Sequence, residues 1–319
     1  MIFQTATNKY NTAVNDFSVI GLGELMVEFV EENPGLDTNV LYHQSIGGDV
    51  FNTLYALNLY KNTNSFISSV GNDIFKEFIL INLQNYNTDT QMIKVNLDYN
   101  NGIYFIKVTP DQNRIIQSYR ETSAAKFTLT DYTYERILDF CKKSKIFYFT
   151  GITLAITYRR DLLMRLIQDL KNAGIIIAYD TNVRPQLWQG NLKLQKDTEE
   201  QFLQFLDFIF ITKDDSLEEI SVETLEEMIS YYRGFKIPHI ISKDGPNGSD
   251  YFTYDGTDGI HCDAVTNVTV VDTTGAGDAF NGGFLAGILE KKEMKECLEM
   301  GTKVATACIQ VKGAINYSI

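Results

Sequence analysis

The chain is short of positive charge. Its 319 residues hold 28 Lys and Arg against 41 Asp and Glu, a formal net charge of −13 at pH 7. Nucleic acids and anionic membrane surfaces are recognised by clustered Lys and Arg, so this balance speaks against both as partners. Small anions stay open, because a few local donors can hold one phosphate inside an acidic protein. Histidine is scarce too: His43, His239 and His261 lie far apart, and no zinc-ligand spacing is visible. The cysteines, Cys141, Cys262, Cys297 and Cys308, form no CxxC pair, and none has a His at ligand spacing. They read as reduced, mostly buried thiols. No apolar run reaches the roughly 20 residues that cross a bilayer. Residues 1–15 carry only Lys9 as a charged side chain and show neither the apolar stretch nor the cleavage site of a targeting peptide. They read as a loosely attached arm. The expectation is a soluble, cytoplasmic protein.

Two familiar phosphate motifs are also missing. "GLGELM" follows a strand-like run, but Met26 stands where a dinucleotide fingerprint needs its third glycine. No GxxxxGK[ST] loop occurs.

What is present is ordinary globular composition, 44% hydrophobic and 22% charged, in a length that suits one large α/β domain or two modest ones. Short apolar, β-rich runs recur and end abruptly in glycine or a polar residue: "FSVIGLGE" (17–24), "SFISSVGND" (65–73), "KIFYFTG" (145–151), "GIIIAYDTN" (174–182), "FIFITKDD" (208–215) and "HIISKDG" (239–245). Amphipathic stretches separate several of them. In "RRDLLMRLIQDLKNAG" (159–174), Leu162, Leu163, Leu166, Ile167 and Leu170 fall at helical spacing before a glycine stop, and "ETLEEMISYYRG" (223–234) is similar. Strands alternating with helices predict a doubly wound, mostly parallel sheet with helices on both faces. Ligands bind such sheets beyond the carboxyl ends of the strands, so the polar tails of these runs are the first place to look for chemistry.

Two stretches break the alternation. "LMVEFVEENP" (25–34) with "NVLYHQSIGG" (39–48) lies between the first strand and the first helix, and "GIYFIKVTPDQNRIIQSYR" (102–120) reads as two strands joined by a Pro-Asp-Gln-Asn turn. Together, insertions at about 25–46 and 100–121 suggest a small antiparallel sheet placed as a lid over the strand ends. The expected organisation is one domain over residues 1–319, without linker or repeat.

The densest motif is "VVDTTGAGDAFNGGFLAGIL" (270–289). Phe280, Phe284, Leu285 and Ile288 share one side of a predicted helix. Thr273 and Thr274 precede the glycines as caps. Gly275, Ala276 and Gly277 then stand at the helix N-terminus, where small residues let an anion approach unpaired N–H groups and the dipole favours negative charge. That suits a phosphoryl group in transit. Asp278 follows as a general base for a hydroxyl, or simply as an acid that stabilises the dipole.

This segment closely resembles the C-terminal signature of the PfkB (ribokinase-like) carbohydrate kinases. "GGDVFNTLYAL" (47–57) and "SSVGNDIFKE" (68–77) are similar to the family's N-terminal sugar-binding and V-G-x-D segments. Within the family, "SYRETSAAKFTLT" (118–130), "FTGITLAIT" (149–157), "YDTNVRPQLW" (179–188) and "IQVKGAI" (309–315) look like 2-keto-3-deoxygluconate kinases. The resemblance implies a ribokinase-like fold and phosphoryl transfer from MgATP to the 6-hydroxyl of that sugar acid. It leaves room for a monovalent cation and for a homodimer through the lid.

The resemblance also implies roles. Asp278 would be the catalytic base, with Gly275, Ala276 and Gly277 as the anion hole. Gly48 and Asn52 would hold sugar hydroxyls, and Tyr104, Tyr119 and Arg120 would close on the acid. Arg184 would stand where sugar and nucleotide meet, with Asn182 nearby. Lys243, Gly245, Gly248 and Ser249, in "KDGPNGS", would flank ATP. Asp215 would approach Mg²⁺ through water, in a segment where relatives often show Asn-x-x-Glu and this chain has Thr212 and Asp215. Ser118 replaces an aromatic residue of some relatives. Read without the resemblance, several positions keep plainer roles: Arg184 as a surface ion pair, Arg120 as an edge cap, Tyr104 as lid core, Gly47–Gly48 and "KDGPNGS" as turns. A neutral-sugar kinase and a non-catalytic sensor are the competing functions, and the intact Gly275–Asp278 stretch speaks against the sensor.

Overall fold

The computed structural model describes residues 16–32, 38–108, 114–256 and 259–319. The expected arm at 1–15 and the expected turn at 110–113 lie outside these. All six apolar runs form strands of one sheet. Its strands are β1 (Phe17–Leu22), β4 (Asn64–Gly71), β5 (Ile93–Asn96), β8 (Ser144–Thr150), β9 (Ile176–Asp180), β10 (Phe208–Thr212), β11 (His239–Lys243), β12 (Ser249–Thr253) and β13 (Ile260–Cys262). The spatial order is β13-β12-β11-β10-β9-β8-β1-β4-β5. Pairing is parallel from β11 to β5, and β12 and β13 add an antiparallel edge.

The parallel strands read as nearly unbroken apolar runs because helices cover both faces. In β8, Phe147 and Phe149 point into one core while Ile146 and Tyr148 point into the other. Ile209 and Ile211 of β10 split from Phe208 and Phe210 in the same way. Between β1 and β8 the chain order reverses, and this is where a doubly wound sheet opens a crevice at its carboxyl edge.

The two insertions form a second sheet, β3-β2-β6-β7, from β2 (Met26–Glu31), β3 (Tyr42–Gly47), β6 (Gly102–Val108) and β7 (Arg114–Tyr119). Each insertion is an antiparallel hairpin, as expected. The two hairpins join through a parallel β2–β6 pairing, with Phe29 opposite Phe105 and their rings stacked at 5.0 Å.

The helix Ala276–Leu289 is buried along almost its whole length. It packs against the helices Asp49–Asn58 and Met294–Cys308. Gly282 makes this possible: a Cβ there would stand 2.5 Å from the Thr53 carbonyl oxygen and 2.4 Å from the Ala56 Cβ. The close approach sets Asn52 beside the first turn of the neighbouring helix.

Behind β9 lies a less expected feature. Glu199, on the helix Leu192–Leu203, and Glu219, on the helix Lys213–Ile220, are both buried. The Tyr179 hydroxyl donates to Glu199 Oε1 at 2.7 Å. Burial, then the Glu219 carboxyl, hold the Glu199 carboxyl well above the usual range, and burial pushes Glu219 up to about 7. A carboxyl raised on folding binds more protons folded than unfolded, so it costs stability as pH climbs from its ordinary 4.5 toward 7. Glu219→Gln should remove that loss. Chemical denaturation should show the variant little changed at pH 4 and more stable than the parent by roughly 1–3 kcal/mol near pH 8. A stability difference that does not vary with pH would show that Glu219 does not titrate in this window.

Candidate active site

The crevice at the β1–β8 reversal gathers the polar tails of the strands. Beyond β1 comes Glu24, β8 ends in Thr150, and β9 ends in Asp180 with Asn182 and Arg184 after it. The helices Asp49–Asn58 and Ala276–Leu289 begin over the same edge, and the lid sheet faces them.

Gly275 caps the second helix with φ 75°, a left-handed conformation that suits glycine, and a Cβ there would press on the Ala314 Cβ at 2.5 Å. The N-cap position falls on Gly275 itself, which has no side chain to cap with. Thr273 and Thr274 therefore do not serve as the expected caps. Instead, the Thr274 N–H donates to Asp272 Oδ1 at 2.7 Å, and the Thr273 carbonyl accepts from the Ala276 N–H at 3.2 Å. The first intrahelical bond runs from the Ala279 N–H to the Gly275 carbonyl at 2.8 Å. The N–H groups of Gly277 and Asp278 have no intrahelical acceptor, by helix geometry. A helix start without a capping side chain is open to an anion.

Asp278 lies in this first turn, and its Oδ2 accepts from Asn52 Nδ2 at 2.9 Å. Burial, then the nearby Asp49 carboxylate, push the Asp278 carboxyl up to about 8; the Asn52 amide and Lys243 pull the other way. Asp49 is itself buried and braced. Its Oδ2 accepts from Thr150 Oγ1 at 2.5 Å and from Asn182 Nδ2 at 3.0 Å, and its Oδ1 from the Val50 N–H at 2.9 Å. Asn182 reaches Asp49 from a left-handed backbone, φ 36°, strain of the kind that gathers at functional sites.

One layer deeper, Lys243 at the end of β11 pairs with Asp180 at 2.9 Å and donates to Asn281 Oδ1 at 3.2 Å. Asn281 in turn donates to Asp180 at 2.6 Å and to the Tyr148 hydroxyl at 3.0 Å. A Cβ on Gly277 would come within 3.5 Å of the Lys243 ammonium, so a positive charge lies directly under the helix start.

A cavity of about 460 Å³ opens in front of this network. Of the residues singled out from sequence, Gly48, Asn52, Tyr104, Arg120, Asn182, Arg184, Gly275 and Asp278 line it. From the lid, the Tyr104 hydroxyl donates to Glu28 Oε2 at 2.6 Å, and Ser45 donates to the other oxygen at 2.7 Å. Arg120 pairs with Glu24, whose side chain is almost fully buried. Arg184 donates to the Val183 carbonyl at 2.6 Å and stands 4.0 Å from Asp215.

Tyr119 is a correction. Side chains alternate along β7, so Ile116 and Ser118 face the cavity, while Tyr119 is 60% exposed and meets Phe105 edge-on. Gly245, Gly248 and Ser249 form the bend between β11 and β12 and do not line this cavity. Gly248, at φ 99°, lies so close to β13 that a Cβ would meet the Cys262 carbonyl at 2.2 Å. Cys262 borders a second cavity of about 450 Å³, with Val265, Thr302, Lys303, Thr306 and Gln310. It flanks the helix Met294–Cys308, the end of which receives the Val271 and Asp272 N–H groups at the Ile309 carbonyl. The segment that leads into Gly275 is thereby tied to the end of a helix that lines the second cavity, while Thr274 and Gly275 line the first.

Sequence reasoning missed Glu24, Asp49, Thr150, Asp180 and Asn281. All but Asn281 stand at the polar tails of the apolar runs or directly after Gly47–Gly48. Among the described residues, no group of three or more His, Cys, Asp or Glu could hold a metal.

The cleft thus pairs a buried acid with a helix start capped only by glycine, under a β lid. Residues 16–319 match the pfkB family of carbohydrate kinases, and the chain belongs to that family. A 2-dehydro-3-deoxygluconokinase from Haemophilus influenzae is 29% identical over 85% of this chain and 88% of its own length. Fructokinase-2 from Oryza sativa is 27% identical over 93% of this chain and 89% of its own length. An uncharacterized sugar kinase from Pyrococcus horikoshii, solved in complex with ATP, superposes with a TM-score of 0.79 at 26% identity, covering 94% of this chain and 95% of that one. The fold is ribokinase-like.

The geometry makes a claim about acidity that can be checked. Asp49→Asn removes a negative neighbour of Asp278, so the Asp278 pKa should fall. The acid limb of the kcat/KM profile, expected near pH 8 in the parent, should move toward lower pH by about one unit or more. A limb that stays in place would mean that the profile reports some other group.

Proposed function

We propose that the protein transfers the γ-phosphoryl group of ATP to the 6-hydroxyl of 2-keto-3-deoxygluconate. The observation that carries this reading is the placement of Asp278, at once on the floor of the cavity and in the first turn of a helix capped only by glycine. A hydroxyl seated against Asp278 is next to the N–H groups that would hold the phosphoryl oxygens. As the hydroxyl oxygen bonds to the γ-phosphorus, its proton passes to the Asp278 carboxylate. The bond from phosphorus to the bridging oxygen breaks, and ADP leaves. The fixed N–H donors and the Lys243 ammonium meet the negative charge on the phosphoryl oxygens.

The second cavity suits the nucleotide base. It is walled by Val265, Thr302 and Thr306, beside the helix Met294–Cys308 and next to Cys262, whose carbonyl Gly248 of "KDGPNGS" approaches. Mg²⁺ would arrive on the nucleotide and screen phosphate charge. An acid beside the cavity arginine Arg184 is Asp215, half-exposed, with a carboxyl that burial has raised. An oxygen donor whose charge is poorly solvated fits a hard cation, directly or through water.

The acid substrate is supported by the two cavity arginines, Arg120 and Arg184, and by the similarity to 2-dehydro-3-deoxygluconokinases. One observation favours a neutral sugar instead: Arg120 is already matched by Glu24. The reading extends to one domain over residues 1–319 and to a homodimer through the lid, where Leu41, Tyr42, Ile115 and Tyr119 are exposed.

A coupled ADP-release assay over sugars and sugar acids separates the readings. The acid should exceed fructose and ribose in kcat/KM by at least about tenfold, the worth of one charge-assisted contact. Fructose as the better substrate would place the protein with the neutral-sugar kinases, and no ADP release with any acceptor would remove the kinase reading.

A further inference from the structure

The Arg120–Glu24 pair has features that an ordinary surface ion pair lacks. Glu24 is 2% exposed, and Arg120 keeps 14% of its side chain accessible at the cavity wall. Only Arg120 Nη2 and Glu24 Oε2 satisfy one another. Glu24 Oε1 and Arg120 Nε are both buried without a hydrogen-bond partner. The pair is also fitted into the fold: a Cβ on Gly102, at the start of β6, would meet Glu24 Oε1 at 2.5 Å and the Arg120 Cβ at 3.4 Å. The charged and titratable groups around it are mostly acids. Asp49 and Asp278 come from the two helix starts, Tyr104 with Glu28 from the lid, and Arg184 lies across the cavity.

We propose that Glu24 is a specificity-determining residue that competes with the substrate's carboxylate for Arg120, so that binding of a sugar acid is coupled to uptake of a proton. This rests on the reading that the cavity takes a sugar or sugar acid. When the substrate's carboxylate takes the guanidinium, Glu24 is left in a buried pocket beside a second carboxylate, and Arg120 is the only cation paired with it among the described residues. Two carboxylates in one dry site cannot both stay ionised at little cost, so one proton enters from solvent and is shared between them. A neutral sugar leaves the Glu24–Arg120 pair in place and needs no proton. Glu24 thereby lowers the preference for acids that Arg120 would otherwise confer, and makes that preference stronger as pH falls.

Titration calorimetry in buffers of different ionisation enthalpy counts the protons directly. Binding of 2-keto-3-deoxygluconate to the unmutated protein near pH 7.5 should take up about one proton more than binding of fructose. In Glu24→Gln the difference should vanish, and the Kd for the acid should fall roughly tenfold while that for fructose changes little. The Glu24→Gln substitution leaves Arg120 buried without a counter-charge, so thermal unfolding should accompany the titration; the count on the unmutated protein needs no variant. Acid binding with no extra proton, or a Glu24→Gln variant that weakens acid and sugar alike, overturns the inference and leaves the proposed substrate standing. Acid rejected by the parent but accepted by Glu24→Gln supports the inference and overturns the substrate. Acid rejected by both proteins overturns both.

Discussion

The site depends on holding two carboxylates, Asp49 and Asp278, in the same buried crevice. Two negative charges out of water repel, and each costs free energy that neighbouring donors must offset. The fold supplies those donors from four directions: Asn52 from its own helix, Thr150 from the end of β8, Asn182 from the strained turn after β9, and Lys243 from β11. Asp49 accepts three hydrogen bonds and Asp278 one from Asn52, and burial still raises both carboxyls. Asp278, with fewer donors, is pushed up to about 8, in the range that suits a general base.

Much else follows from that arrangement. The strand order must reverse between β1 and β8 for the tails of β8 and β9 and the two helix starts to converge. The helices Asp49–Asn58 and Ala276–Leu289 must approach closely for Asn52 to reach Asp278, and Gly282 permits it. The lid must shield the crevice, since water would otherwise accept the phosphoryl group and would weaken every charge interaction inside. Phe29 and Phe105, stacked across the parallel joint of the two lid hairpins, tie the insertions into one sheet.

The sheet was legible because its strands announce themselves as buried apolar runs, and the helix at 276–289 because glycines and an acid mark its start. Local pattern also placed the lid hairpins, but not the parallel seam between them, which is a long-range pairing without a local signal. Tyr119 shows how fine the limit is. A one-residue step along β7 turns a side chain to the other face, and the quoted motif "SYR" does not say which face looks inward; Ser118 does. The caps at Thr273 and Thr274 failed because Asp272, Ile309 and Gly313 hold that segment from outside the helix. Buried partners such as Glu24, Asp180 and Asn281 were missed for a related reason. Each is polar beside apolar neighbours, and only the assembled crevice shows that each has a counterpart.

The central claim is that Asp278 accepts the proton of the attacking hydroxyl while the helix start holds the phosphoryl group. Asp278→Asn is nearly isosteric and keeps a partner for Asn52, so the folded structure and ATP binding should survive. Single-turnover phosphoryl transfer, followed in parallel with ATP affinity, should fall by about 10²–10⁴-fold with ATP affinity within a few-fold of the parent. Transfer within a few-fold of the parent rate would contradict the account, and would reduce Asp278 to an acid that stabilises a helix dipole.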